Sequence, residues 1–333
     1  MTTPVDAQAV AALDPELLRQ AANGLKGLAA DSRCRSGFVD NPVLSSILAP
    51  AADRYIVAAD QNTLFERLAV LEGKGYRTGV EYVGEEARNS AEVDEVVSEY
   101  HELISRHEKA GLELPTQLGF DLSNVGSLIS PRTAAENCEA LLRGAGAQGM
   151  GILISMERSS FVDDILRVFA GLAGKHDNVA LTLQAHLHRT ESDLDAVLPL
   201  GRKVRLVKGV YNEPADVALA RGPELNERYA RILERILDAG NPVAVATQDA
   251  VLLDLLDSRG LLGRVEEMEM LHGVRPALLK SYKDRGISCR VATVYGTNWW
   301  LHLIHRLAEY PPNVLVALAD LAEPERVRFG SEY

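Results

Sequence analysis

Cysteine is scarce and scattered. Cys34, Cys138 and Cys289 lie far apart with no CxxC pair, so the sequence suggests neither a disulfide framework nor a zinc site, and a reducing compartment fits. Positive charge is also in deficit: 35 Lys and Arg stand against 47 Asp and Glu, for a formal net charge of −12. A sequence-independent nucleic-acid binder needs a basic field that this chain lacks, which leaves a small molecule or a protein as the expected partner. No segment approaches a membrane span, and the start MTTPVDAQAVAALDPELL lacks the basic and apolar regions of a signal peptide. A cytoplasmic protein is expected, with peripheral membrane contact and a homo-oligomer left open.

What is present is ordinary globular composition, 47% hydrophobic and 25% charged over 333 residues, enough for one large core or two modest ones. From about Ala7 to Lys74 apolar residues recur at three- and four-residue spacing, which predicts a helical N-terminal extension, residues 1–75. Residues 76–333 change texture to short apolar runs alternating with amphipathic helices. Strands are predicted at 78–84, 113–120, 149–156, 178–185, 203–210, 242–247, 266–271 and 289–296.

Strict alternation of strand and helix requires parallel strands, and eight such units over roughly 250 residues is the size at which the sheet closes into a (β/α)8 TIM-type barrel. An open doubly wound sheet is disfavoured because no GxGxxG turn follows the first strand, and the glycines of GAGAQGMG precede a strand instead. In such a barrel functional residues sit at the C-terminal strand ends. The polar residues expected there are Glu85, Gln117, Ser155 with Glu157, Gln184, Lys208 with Tyr211, Thr247 with Gln248 and Asp249, His272, and Tyr295.

VRLVKGVYNE at 204–213 places Arg205 and Lys208 in an otherwise apolar strand. Burying two cations is costly without anionic or hydrogen-bonding partners, so they either pair with carboxylates of neighbouring strands or face an anionic ligand. The segment alone leaves both readings open.

The ordered set LEGKGYRTGVEYVGEEARNSAEV, LPTQLGFDLS, ISMERSSFVDDIL, LTLQAHLHRTESDL, VRLVKGVY, VAVATQDA, EMEMLHG and YGTNWWLHLIHRLAE, from residue 71 to 309, resembles the proline dehydrogenase family. The resemblance implies a distorted (β/α)8 barrel holding FAD at the strand C-termini, a dehydrogenation at a C–N bond, and a quinone or oxygen as electron acceptor. Carried over residue by residue, Arg205 and Lys208 match the family's basic pair on the flavin, Gln184 its glutamine on the ring, and Tyr211 its tyrosine near the substrate. Thr247, Gln248 and Asp249 occupy a Thr-His-Asn position near the cofactor, of which one residue is kept.

On the substrate side the resemblance implies two adjacent arginines on the last barrel helix, and here that pair is His305-Arg306. The lysine of the second strand corresponds to Leu114, an aspartate of the third to Ser155, a tyrosine of the eighth to Ala292, and a tyrosine one turn before the arginine pair to His302. Leu271 and Tyr295 complete the expected pocket. Residues 302, 305 and 306 are spaced i, i+3 and i+4 and share one helix face. Arg205, Tyr211, His302, His305 and Arg306 are the candidate catalytic set. Exchanging arginine for imidazole and lysine for leucine removes much of a carboxylate clamp, which turns the expectation from proline toward a proline analogue or another amino acid, one of secondary metabolism included. No metal is expected, since HxxH at 302–305 lacks the HExxH pattern. The alternatives are a true proline dehydrogenase, a barrel that binds a ligand without turnover, and a flavin-free barrel using the two histidines as acid and base.

Overall fold

The computed structural model describes residues 14–84 and 86–333; Glu85 and the stretch before Asp14, where the expected N-terminal helix begins, lie outside the described residues. By packing, the chain falls into two compact units, one of residues up to 67 with 294–332, the other of residues 68–293 with Tyr333.

In the first unit come helices α1 (Pro15–Ala30), α2 (Ser32–Val39) and α3 (Pro42–Asp53), each opened by an Asp or Asn whose side chain accepts from a first-turn N–H. The helical pattern expected to run unbroken to Lys74 is interrupted by strand β1 (Ile56–Ala58), whose residues are all buried. It pairs in parallel with the end of β9 (Cys289–Tyr295) through Ile56–Val294 and Ala58–Tyr295. Helix α4 (Gln61–Gly73) follows. Later in the chain this unit contains α12 (Trp299–Glu309) and α13 (Asn313–Ala322), separated by the helix stop YPPN. Helix α12 packs on α1 and α13 on α3. Phe38 stacks on Trp300 at 5.0 Å between centroids, and Arg54 forms a buried ion pair with Asp320.

The second unit is the barrel. Its strands are β2 (Arg77–Tyr82), β3 (Gln117–Phe120), β4 (Gly151–Ile154), β5 (Val179–Gln184), β6 (Lys203–Val207), β7 (Val243–Ala246), β8 (Glu267–Leu271) and β9. All eight predicted strands are present. Each pairs in parallel with the next, and β9 pairs with both β8 and β2, which closes the sheet. Between them run α5 (Ser90–Ala110), α6 (Pro131–Ala147), α7 (Val162–Ala173), α8 (Thr190–Val197), α9 (Pro223–Asp238), α10 (Ala250–Ser258) and α11 (Pro276–Asp284). Burial on both faces explains why β5 reads as a continuous run, VALTLQ, with every residue buried.

The barrel interior is polar as well as apolar. Toward the strand N-termini, Glu267 is fully buried and receives Arg290 at 2.7 Å, Lys203 at 2.6 Å and Arg77 at 3.1 Å. Cys138 and Cys289 are buried and Cys34 is half-buried. Among the described residues no helix is long and apolar enough to cross a membrane.

Candidate active site

Strand β6 alternates, with Lys203, Arg205 and Val207 on one face and the buried Val204 and Leu206 on the other. The first face looks into the barrel: Arg205 Nη1 donates to Glu269 Oε1 of β8, two strands away, at 3.1 Å, and Nε donates to Thr182 Oγ1 of β5 at 3.0 Å. Its Nη2 comes within 3.5 Å of Ser155 Oγ just past β4. Lys208, one residue beyond the strand, turns the opposite way. Its ammonium donates to Asn226 Oδ1 of α9 at 2.7 Å and to Asp249 Oδ2 at 2.6 Å, where Asp249 caps α10. Both cations therefore have the carboxylate partners that buried charge demands.

Gln184 ends β5 on the same face as Thr182. Its Nε2 donates to the Glu157 carbonyl at 2.8 Å, while Oε1 is buried without a protein partner. A buried amide oxygen left unpaired is costly, which marks it as an acceptor waiting for a donor. Two residues on, His186 is buried with Nε2 equally unpartnered, and burial lowers its pKa to about 4; His188 is exposed. Gly209 has φ +114°, and a Cβ there would lie 2.5 Å from the His186 ring, so only glycine fits.

The loop after β6 is clasped from β4: Glu213 accepts from Ser159 N–H and Oγ–H, both at 2.7 Å. It carries Tyr211, whose phenol is held well above its ordinary pKa by burial and by Asp121, Glu157 and Glu81. These three carboxylates were not singled out together by sequence. Desolvation, then Glu157 and Glu81, push Asp121 strongly up against the opposing pull of Arg205. Desolvation likewise raises Glu157, although the Ser123 N–H bond to it, at 3.2 Å, works the other way. Asp121 was legible in principle as the residue following the strand QLGF.

Elsewhere the placement differs from expectation. Gln117 opens β3 instead of closing it, and Leu114 lies three residues before that strand, its N–H bonded to Glu72 of α4 at 2.5 Å. Both stand at the N-terminal end, and the residue at the C-terminal end is Asp121. Pro115, which lacks an N–H for the ladder, explains the late start. Leu271 ends β8 in register with Ala292 of β9, half-buried like its partner. Thr247 is buried, its Oγ1 accepting from Asp249 N–H at 3.2 Å, and the Gln248 carbonyl is held by Arg275 at 3.2 Å. His272 stacks on Tyr333 and shares a 2.8 Å hydrogen bond with its hydroxyl.

In the other unit, Tyr295 is buried at the end of β9. On α12 the three spaced residues differ in exposure: His302 is half-buried, His305 exposed, and Arg306 half-buried and paired with Glu309 at 2.7 Å, with Nε buried and unpartnered. Among the described residues no group of three or more His, Cys, Asp or Glu side chains is arranged to hold a metal ion.

The proline dehydrogenase family model matches residues 64–309. Proline dehydrogenase 2 of Bacillus subtilis (strain 168) is 30% identical over 294 residues, which cover 87% of this chain and 96% of that protein. The proline dehydrogenase of Deinococcus radiodurans is 28% identical over 271 residues, 79% of this chain and 87% of its own length. Among solved structures, proline utilization A from Bdellovibrio bacteriovorus, inactivated by N-propargylglycine, matches 94% of this chain with a TM-score of 0.73 at 16% identity. This chain spans 43% of that much longer one, so the likeness speaks for the barrel fold alone. A family match across most of the barrel, together with relatives similar over nearly their whole length, means that the chain belongs to the proline dehydrogenase family, FAD-dependent oxidoreductases acting on a CH–NH donor.

Proposed function

We propose that this protein is an FAD-dependent dehydrogenase of an amino-acid-like substrate, one that prefers a proline analogue or another amino acid to proline and passes its electrons to a quinone or to oxygen. The observation that carries the flavin half is Gln184, whose buried Oε1 has no protein partner while its other end is fixed on the Glu157 carbonyl. Gln184 stands on β5 in register with Val207, two residues beyond Arg205 on the neighbouring β6, so an acceptor for a ring N–H and a cation for the charge gained on reduction come from adjacent strands. This donor and acceptor set fits FAD. When bound, FAD accepts a hydride from the carbon attached to the substrate nitrogen.

The protein's own part is to bind, orient and hold protons. Tyr211, with its raised pKa, stays a neutral hydroxyl that can donate, and the crowded Asp121 and Glu157 retain protons to higher pH than ordinary carboxyls. An amine that binds neutral needs no strong base. Arg306 keeps the permanent cation of the expected pair for the substrate's acid group, and its Glu309 partner and the exposed His305 leave that clamp weaker than two arginines. The 30% identity to a proline dehydrogenase favours the second reading, proline itself.

The deciding experiment is the visible spectrum of the purified protein, followed anaerobically with proline, hydroxyproline, pipecolate, acyclic amino acids and hydrazino acids. Bleaching by another compound well before proline is the expected result. Rapid bleaching by proline establishes the second reading, flavin that nothing bleaches points to a ligand-binding barrel, and a colourless protein that takes up no FAD ends the oxidoreductase proposal.

A further inference from the structure

Lys208 and Asp249 link the strand ends to the helix layer around the proposed flavin site. Two of the three Lys208 donors are engaged, by Asn226 Oδ1 at 2.7 Å and Asp249 Oδ2 at 2.6 Å, and the residue is only 7% exposed. The other oxygen of the same carboxylate, Oδ1, accepts from the N–H groups of Val251 at 3.0 Å and Leu252 at 3.3 Å, the first turn of α10. One carboxylate thus bridges an ammonium and a helix N-terminus, both of which favour its ionised form. Desolvation opposes this, yet the Lys208 bond and charge and the two backbone bonds leave Asp249 below its ordinary pKa.

We propose that Asp249 is a positioning residue that fixes the Lys208 ammonium and cancels most of its field, making the flavin of this barrel harder to reduce than one beside an unpaired lysine. The inference rests on the FAD reading above. Opposite unit charges in direct contact act on a third group several ångströms away as a dipole, whose field falls off faster than that of a single charge. The reduced, anionic cofactor therefore gains less from Lys208 than a free ammonium would give it.

The loop does not depend on this charge. Thr247 Oγ1 holds the Asp249 N–H, Arg275 holds the Gln248 carbonyl, and an asparagine side chain caps a helix about as well as aspartate. Asp249→Asn therefore removes the charge and keeps the cap. The test is the midpoint potential of bound FAD, measured by spectroelectrochemistry on the full-length wild type, Asp249→Asn, Lys208→Met and the double variant, with thermal unfolding and FAD content recorded for each.

Charge arithmetic orders the four. Asp249→Asn lies above wild type, its reduced-to-oxidised equilibrium shifted about tenfold toward the reduced form, or about 30 mV for a two-electron couple. Lys208→Met lies below, and the double variant returns close to wild type. An Asp249→Asn potential at or below wild type overturns the inference, as does a double variant that stays with Lys208→Met. Loss of FAD content without a rise in potential is the signature of a merely structural role and also overturns it. Those results leave the flavoenzyme reading standing, whereas a wild type that binds no FAD removes both.

Discussion

Glu267 concentrates more opposed charge than any other single carboxylate described above. With Arg290, Lys203 and Arg77 around it, its pKa is brought down to about 2 against a desolvation penalty that acts the other way. A folded-state pKa below the unfolded value contributes stability that is complete above about 4.5 and is lost as the pH falls toward about 2. Urea unfolding of the wild type at stepped pH should show this loss, on the order of 3 kcal/mol. Glu267→Gln should lower stability at pH 7 by about 3–5 kcal/mol, because the buried Arg290 loses its counter-charge while Lys203 and Arg77 keep only Glu266, and should flatten the acid limb. On the functional side, Arg306→Met is expected to raise KM for the acid substrate about 10- to 100-fold with a smaller change in kcat, as steady-state kinetics would show. The sequence placed EMEML in a strand but did not say which of its glutamates meets which cation. Such partners are set by the stagger of a closed sheet, which brings β8 opposite β6, and no local pattern encodes that. Arg205 and Lys208 stood out because cations interrupting an apolar strand are rare and costly, and of the two readings left open for them the structure shows the pairing with carboxylates.

At the scale of elements, the eight barrel strands were readable because a buried parallel strand is an apolar run of fixed length between helices. Strand β1 was not. Three residues, Ile56 to Ala58, are too few to break the helical period of the sequence around them, and only their pairing with β9 makes them a strand. The start of β3 was placed too early for a related reason, since ELPTQL alternates like a strand although Pro115 cannot join its ladder. The loop after β6 yields a prediction of its own. Gly209→Ala forces a side chain into the left-handed region and against the His186 ring, and should cost about 1–3 kcal/mol. Because the loop positions Lys208 and Tyr211, the variant should also purify with less FAD, read from the ratio of flavin to protein absorbance.

For the whole molecule, a ligand that binds the native barrel and not the unfolded chain adds stability by mass action. The melting temperature should therefore climb with added FAD, by the equivalent of about 2.7 kcal/mol at a hundredfold excess over Kd; a melting curve indifferent to FAD contradicts the proposed site. The excess of acidic residues, evident from composition, suits a protein whose partners are small molecules, but it names none of them. The cysteines offer a way to watch the molecule work. Cys138 and Cys289 are buried, the latter with its pKa raised by desolvation to about 12, whereas Cys34 in α2 is half-buried. A thiol-reactive fluorophore should thus label the native protein at Cys34 alone, and the slower appearance of the other two labels becomes a clock for the opening of the barrel.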